Sequence, residues 1–202
     1  MRFRTIALAS GALITTVLVL TGCAQSSTTG AMPGMDHGST PMTPSESTSD
    51  VNFADQTFVT MMIPHHEQAV EMADLVLGKD GIDERVSDLA QQIKDAQGPE
   101  IETMKSWLSA LDTPYDSSET GGMNHGGGMM SDDDMAALES ATGVEASRLF
   151  LEQMILHHQG AIDMAQTELI TGQNADALAL AQTIIDAQAA EIATMQNILG
   201  TL

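Results

Sequence analysis

The sequence predicts an all-α protein, a four-helix bundle made from a duplicated helical hairpin. Three observations carry that prediction. The stretch Phe58 to Ala73 returns as Phe150 to Ala165, with His157 standing 92 residues after His65. A second stretch, Ala90 to Met104, returns as Ala181 to Met195. Within all four stretches the apolar residues recur three and four apart, the spacing of one helix face.

The N-terminus reads as a targeting segment. Arg2 and Arg4 precede an apolar run from Ile6 to Leu20, which ends in Leu20-Thr21-Gly22-Cys23. The run is too short for a typical membrane span, and its ending resembles a bacterial lipobox. Residues 1–22 are therefore expected to be a lipoprotein signal peptide and Cys23 the lipidated first residue of an exported, membrane-anchored chain. An ordinary secretory signal or an anchor helix is the plainer alternative. Cys23 is the only cysteine, so once it is lipidated no thiol remains for a disulfide, a redox pair or a metal. Residues 23–50 are rich in Ser, Thr, Gly and Pro and read as a disordered tether. That tether carries Met32, Met35, His37 and Met42.

Residues 51–202 hold the hairpins. The first, 51–111, comprises a helix from about Phe53 to Leu77, a turn at Gly78 and Gly81, and a helix from about Asp83 to Leu111. Gly98-Pro99 should bend the second helix or break it locally, but the equivalent Ala189-Ala190 fit a continuous helix, so one kinked helix is expected; Pro64 raises the same issue in the first. A Gly/Met linker, 112–131, carries Met123, His125, Met129 and Met130. The second hairpin occupies 132–202. It opens with a short helix starting at Ser131 to Asp134, where acids suit a helix N-terminus. A helix from about Val144 to Thr171, a turn at Gly172 and Asn174, and a helix from about Ala175 to Leu199 follow. Short turns make each pair antiparallel, and the long linker lets the halves pair.

Charge narrows the function. With 28 Asp+Glu against 7 Lys+Arg and a net charge of −21, the chain lacks the basic face that nucleic acid requires. Acidity otherwise serves solubility, and mildly concentrates cations near the surface. There are 15 methionines and few aromatic residues. Met is commonly core filler, but several of these lie outside any core pattern.

Projected at 100° per residue, His65 shares a stripe with Phe58, Met61, Ala69, Met72 and Val76, while His66 falls at its edge. His157 and His158 repeat the arrangement with Phe150, Ala161 and Met164. On the second helices Gln97 and Glu100 share a stripe with Met104, and Gln188 and Glu191 share one with Met195. Each hairpin thus offers one His, two Met, one Glu and one Gln to the interior. Buried polar groups must be partnered. A polar layer in which His65 and His157 bond to Glu100, Glu191, Gln97 and Gln188 would satisfy that requirement without metal. The functional reading is a metal site with some of these groups as ligands and others supporting them. Imidazole with thioether favours Cu(I), with Ag(I) as its mimic; Zn is a further alternative. Met61 and His65, and Met62 and His66, are neighbours four apart. His66 and His158 are thus either surface ligands or solvated edge histidines. The Met/His tails, Met32, Met35, His37, Met123, His125, Met129 and Met130, suit labile capture of Cu(I); a flexible tether is the bland alternative.

The paired pattern Met-Ile-Xaa-His-His-Xaa-Xaa-Ala-Xaa-Xaa-Met-Ala, followed by Ala-Gln-Xaa-Ile-Xaa-Asp-Ala-Gln-Xaa-Xaa-Glu-Ile-Xaa-Thr-Met, resembles the domain-of-unknown-function family 305. The resemblance spans about Phe53 to Leu202. It implies a ferritin-like four-helix architecture and, since the family includes CopM-like periplasmic copper-binding proteins, copper. Carried across by residue it singles out Met62, His65, His66, Met72, Glu100 and Met104, then Met154, His157, His158, Met164, Glu191 and Met195. Gly98-Pro99 departs from the pattern and puts the placing of Glu100 in doubt.

The expectation is a non-enzymatic copper-binding protein that buffers, sequesters or hands Cu(I) to a transfer partner outside the membrane. A ferritin-like oxidoreductase is the alternative, but di-iron bundles use Glu-Xaa-Xaa-His, and no Glu precedes any of the four motif histidines by three residues. A metal-free interaction module is the third reading. No nucleophile–base arrangement or phosphate loop is apparent. Oligomeric state is open.

Overall fold

A computed structural model describes residues 51–116 and 127–202. The signal, the tether, Cys23, Met32, Met35, His37, Met42, Met123 and His125 lie outside the described residues. Among the described residues the fold is all-α, with five helices: α1 Phe53–Leu77, α2 Glu84–Ala110, α3 Asp132–Ser140, α4 Gly143–Thr171 and α5 Ala175–Leu199. None is long and apolar enough to cross a membrane.

Local chemistry sets the boundaries. The Asn52 side chain accepts from Asp55 N while the Asp55 carboxylate accepts from Asn52 N, a reciprocal capping box. Ser131 and Asp134 form another at α3. Asp83 caps α2, and Asn174 caps α5 by accepting from Asp176 N and Ala177 N. Gly81 turns the first hairpin at φ +75°, a conformation glycine adopts without steric cost. As expected, α2 runs as one helix through Gly98-Pro99, and α1 likewise through Pro64. Burial of Ile93, Gln97, Ile101 and Met104 on one face outweighs the lost backbone hydrogen bond.

The strongest packing lies within each hairpin and between α1 and α4. Two apolar clusters form the core. One joins Phe58, Val59, Met62, Ile101 and Met104 to Ala161, Ala165, Ala181 and Ile184. The other joins Phe150, Leu151, Met154 and Met195 to Ala69, Ala73, Ala90 and Ile93. Each is the repeat image of the other, combining the first half of one motif helix with the second half of its copy. The histidines sit between the clusters along α1 and α4. A buried residue of Met or Leu size contributes about 1.5–3 kcal/mol, so this exchange of halves binds the hairpins together.

The ties between hairpins follow the same symmetry. Asp55 Oδ1 accepts from Gln173 N and Asn174 N, both at 2.9 Å, in the turn of the second hairpin. Its repeat counterpart Ser147 accepts through Oγ from Asp83 N in the turn of the first, at 3.0 Å. Short α3 packs over α1 and α4, with Leu138 buried and Gln153 Nε2 donating to Asp134 O at 2.9 Å.

Candidate functional site

Four histidines are buried at the centre of the protein: His65, His66, His157 and His158. This corrects the expectation that His66 and His158 lie at a solvated edge or hold a surface ion. One stripe per helix was too narrow a description, because α1 and α4 are each covered on two sides. His65 and His157 face one another across the α1–α4 interface, their ring centroids 3.8 Å apart. His66 turns instead to α2 and His158 to α5.

The carboxylates pair with those outer histidines. His66 Nε2 donates to Glu100 Oε2 at 2.9 Å, and His158 Nε2 to Glu191 Oε2 at 2.6 Å. A polar layer joining His65 and His157 to Glu100, Glu191, Gln97 and Gln188 is therefore not what forms. Glu100 and Glu191 reach water with side chains 20% and 19% exposed, so each carboxylate remains solvated while gripping a buried ring. Each hairpin contributes two histidines to the interior rather than one.

The partner of each Nε2 defines the tautomer. A carboxylate only accepts, so Nε2 carries the proton in His66 and His158, and a neutral ring then presents Nδ1 as a lone pair. His65 is set likewise, with Nε2 donating to Gly127 O at 2.9 Å. Among the described residues Nδ1 of all four histidines is buried and without a hydrogen-bond partner, as is Nε2 of His157. Both side-chain polar atoms of Gln97 and Oε1 of Gln188 are unpartnered too. Burial, then the charge of His66, lowers the pKa of His65 to about 3, against the opposing bond to Gly127. Burial and the neighbouring His65 hold His157 well below its ordinary value. These two inner rings are neutral and can present lone pairs at physiological pH.

Thioethers flank the layer. Met62 and Met104 are fully buried in one cluster with half-buried Met164 packed against it; Met154, Met195 and Met72 are fully buried in the other. Met61, placed on the His65 stripe, is only half-buried while Met62 is the interior residue. Met130, expected in a labile tail, is a core residue, and Met129 is half-buried. Among the described residues no three His, Cys, Asp or Glu side chains come together as a metal-holding group. An ion in this layer would have to draw on sulfur or amide ligands beside imidazole.

Two features escaped the sequence reading. The end of the linker, 127–130, lies against α1 and α4: Met130 N donates to Gln68 Oε1 at 2.7 Å and Gln68 Nε2 to Met130 O at 2.9 Å. The visible signal was Gly160, which stands where the first copy has Gln68. The other is Glu168, a buried acid beside Asp55, where the first copy has Val76. Burial, then the Asp55 carboxylate, raises Glu168 to about 7. For Asp55 itself burial acts upward, but backbone hydrogen bonds from Asn174, Asn52 and Gln173 outweigh it and lower its pKa.

A family model for the domain of unknown function DUF305 matches residues 55–199, which contain both hairpins and all four motif histidines. The chain belongs to the DUF305 family. A DUF305 fragment from Deinococcus radiodurans is 32% identical at a TM-score of 0.66, over 75% of this chain and 99% of that one. CopM, solved in Cu(I)-bound, Cu(II)-bound, Ag-bound and apo forms, is 30–32% identical at TM-scores of 0.60–0.64. Those alignments cover 73–74% of this chain and 95–98% of CopM. No curated protein matches the chain.

Proposed function

We propose that this protein is a non-enzymatic, extracytoplasmic copper-binding protein that holds Cu(I), and Ag(I) in its place, for buffering, resistance or transfer. One observation carries the reading: four buried histidines whose Nδ1 atoms lack partners among the described residues, within a layer bordered by six methionines. Orphaned buried nitrogens are costly in a protein that has no use for them. A carboxylate on the distal nitrogen of a metal-binding imidazole is the usual way to orient it and raise its basicity, and Glu100 and Glu191 stand there for His66 and His158. The donor set is imidazole and thioether, which favours Cu(I) over Zn. The likeness to CopM, whose structures carry copper and silver, supports the same reading.

We read the four long helices as a ferritin-like bundle that serves as a container. The N-terminal signal and Cys23 support anchoring at the outer face of the cell membrane, with residues 23–50 as tether and a copper-transfer protein as partner. The test is a thermal unfolding series under anaerobic conditions. Cu(I) and Ag(I) at 100 times Kd are expected to add about 2.7 kcal/mol of stability, with little effect from Zn at equal concentration. Admitting oxygen should then produce no catalytic turnover of Cu(I) to Cu(II). Absence of any Cu(I) effect would favour a metal-free module; turnover would favour the oxidoreductase.

A further inference from the structure

We propose that residues 127–130 form a strap that closes over the His65–His157 pair and must lift before an ion reaches it. This rests on the reading of the layer as a metal site. Among the described residues the only hydrogen-bond partner of His65 Nε2 is the strap carbonyl of Gly127. The strap is held on the α1 side by the paired bonds between the Gln68 amide and the Met130 backbone, and by burial of the Met130 side chain in the core. On the α4 side it is seated by the absence of side chains. A Cβ on Gly160 would overlap the Gly127 carbonyl, and one on Gly128 would overlap the Leu156 carbonyl. Gly127 and Gly128 both sit at φ +83°, in the left-handed region that glycine enters freely.

Gln68 and Gly160 occupy the same place in the two copies of the motif, so the seat is built where the duplication is broken. One copy grips the strap and the other makes room for it. The strap is thus a fitted part with few bonds. Lifting it gives up the three hydrogen bonds just named and the burial of Met130, and disturbs no turn of α1 or α4. Segments with few buried contacts open at lower free energy than the core around them.

Gly160→Ala tests this without weakening the helix, since Ala is favoured over Gly in a helix interior. Gly98→Ala is its control, because a Cβ there meets nothing. Gln68→Leu removes the opposite anchor. In the metal-free full chain, diethyl pyrocarbonate should label His65 and His157 about tenfold faster in Gly160→Ala and Gln68→Leu than in wild type or Gly98→Ala, the scale expected of an altered local opening equilibrium. Equal labelling in Gly160→Ala and its control would overturn the strap. Anaerobic stopped-flow Cu(I) uptake should accelerate in the same two variants; faster labelling with unchanged uptake would overturn its role as a gate. A wild type that takes up no Cu(I) would overturn the metal reading and the gate with it, whereas labelling reports the cover without any metal.

Discussion

At the scale of single residues, His157 concentrates the conflict between stability and function. Among the described residues neither ring nitrogen has a well-formed hydrogen-bond partner, although the side chain is fully buried. A buried unsatisfied group costs about 1–3 kcal/mol, and Leu has similar volume without that cost. His157→Leu should therefore raise the metal-free unfolding free energy by roughly 1 kcal/mol in urea titrations while removing stabilisation by Cu(I). Loss of metal-free stability would instead mark His157 as a structural residue. Proton linkage adds a second test. His65 is held near 3 in the fold but titrates near its ordinary value when unfolded. The unfolded chain therefore binds the extra proton, and metal-free stability should fall as pH drops from about 6.5 toward 3.

Glu168 works in the opposite direction. Its folded pKa is about 7 against an ordinary value of 4.5, so between these the folded protein keeps a proton that the unfolded chain has released. Stability contributed by that protonated carboxyl is complete below about 4.5 and lost as pH rises to about 7. Glu168→Val, which restores what the first copy has at Val76, should flatten that decline and stabilise the protein at pH 8 by roughly 1–2 kcal/mol after solvent screening. A variant whose pH profile matches wild type would show that the Asp55–Glu168 contact carries no linkage.

At the scale of elements, the histidine tautomers depend on groups supplied by other helices. Glu100 on α2 and Glu191 on α5 hold His66 and His158 with Nε2 protonated. Replacing both with Ala should weaken Cu(I) affinity by about 10–100-fold, and 15N shifts of the rings should report mixed tautomers. Unchanged affinity would place copper away from the outer histidines. Helix extents were readable from periodicity, caps and glycines: α1 and α5 have the expected ends, α2 is shorter by a residue at each end, and α4 starts one residue earlier. The continuity of α2 through Gly98-Pro99 was readable only from the other copy, where Ala189-Ala190 fit an unbroken helix, because the local signal alone favours a break. Burial of His66 and His158 was not readable. A projection assigns a residue an angle, but whether that angle meets water depends on how many neighbours cover the helix. The strap escaped for a related reason, since Gly160 states a need for space without naming what fills it.

At the scale of the whole molecule, duplication does more than supply two sets of histidines and methionines. Each apolar cluster draws residues from both copies, and each hairpin's turn is tied to the other hairpin's first helix through Asp55 or Ser147. Neither hairpin can keep its methionines dry alone, so the two should unfold in a single cooperative transition monitored by circular dichroism and Trp107 fluorescence. Separate transitions would show that the halves are independent. The histidine layer lies at the centre of this exchange, where an ion would be screened from water and bound by groups from both copies. The decisive measurement is an anaerobic Cu(I) competition titration of the full chain beside a variant with His65, His66, His157 and His158 all changed to Leu. Tight binding in wild type that disappears in the variant, leaving only the weak capture of a methionine peptide, is the predicted result. Equal tight binding in both would contradict a copper site in the buried layer.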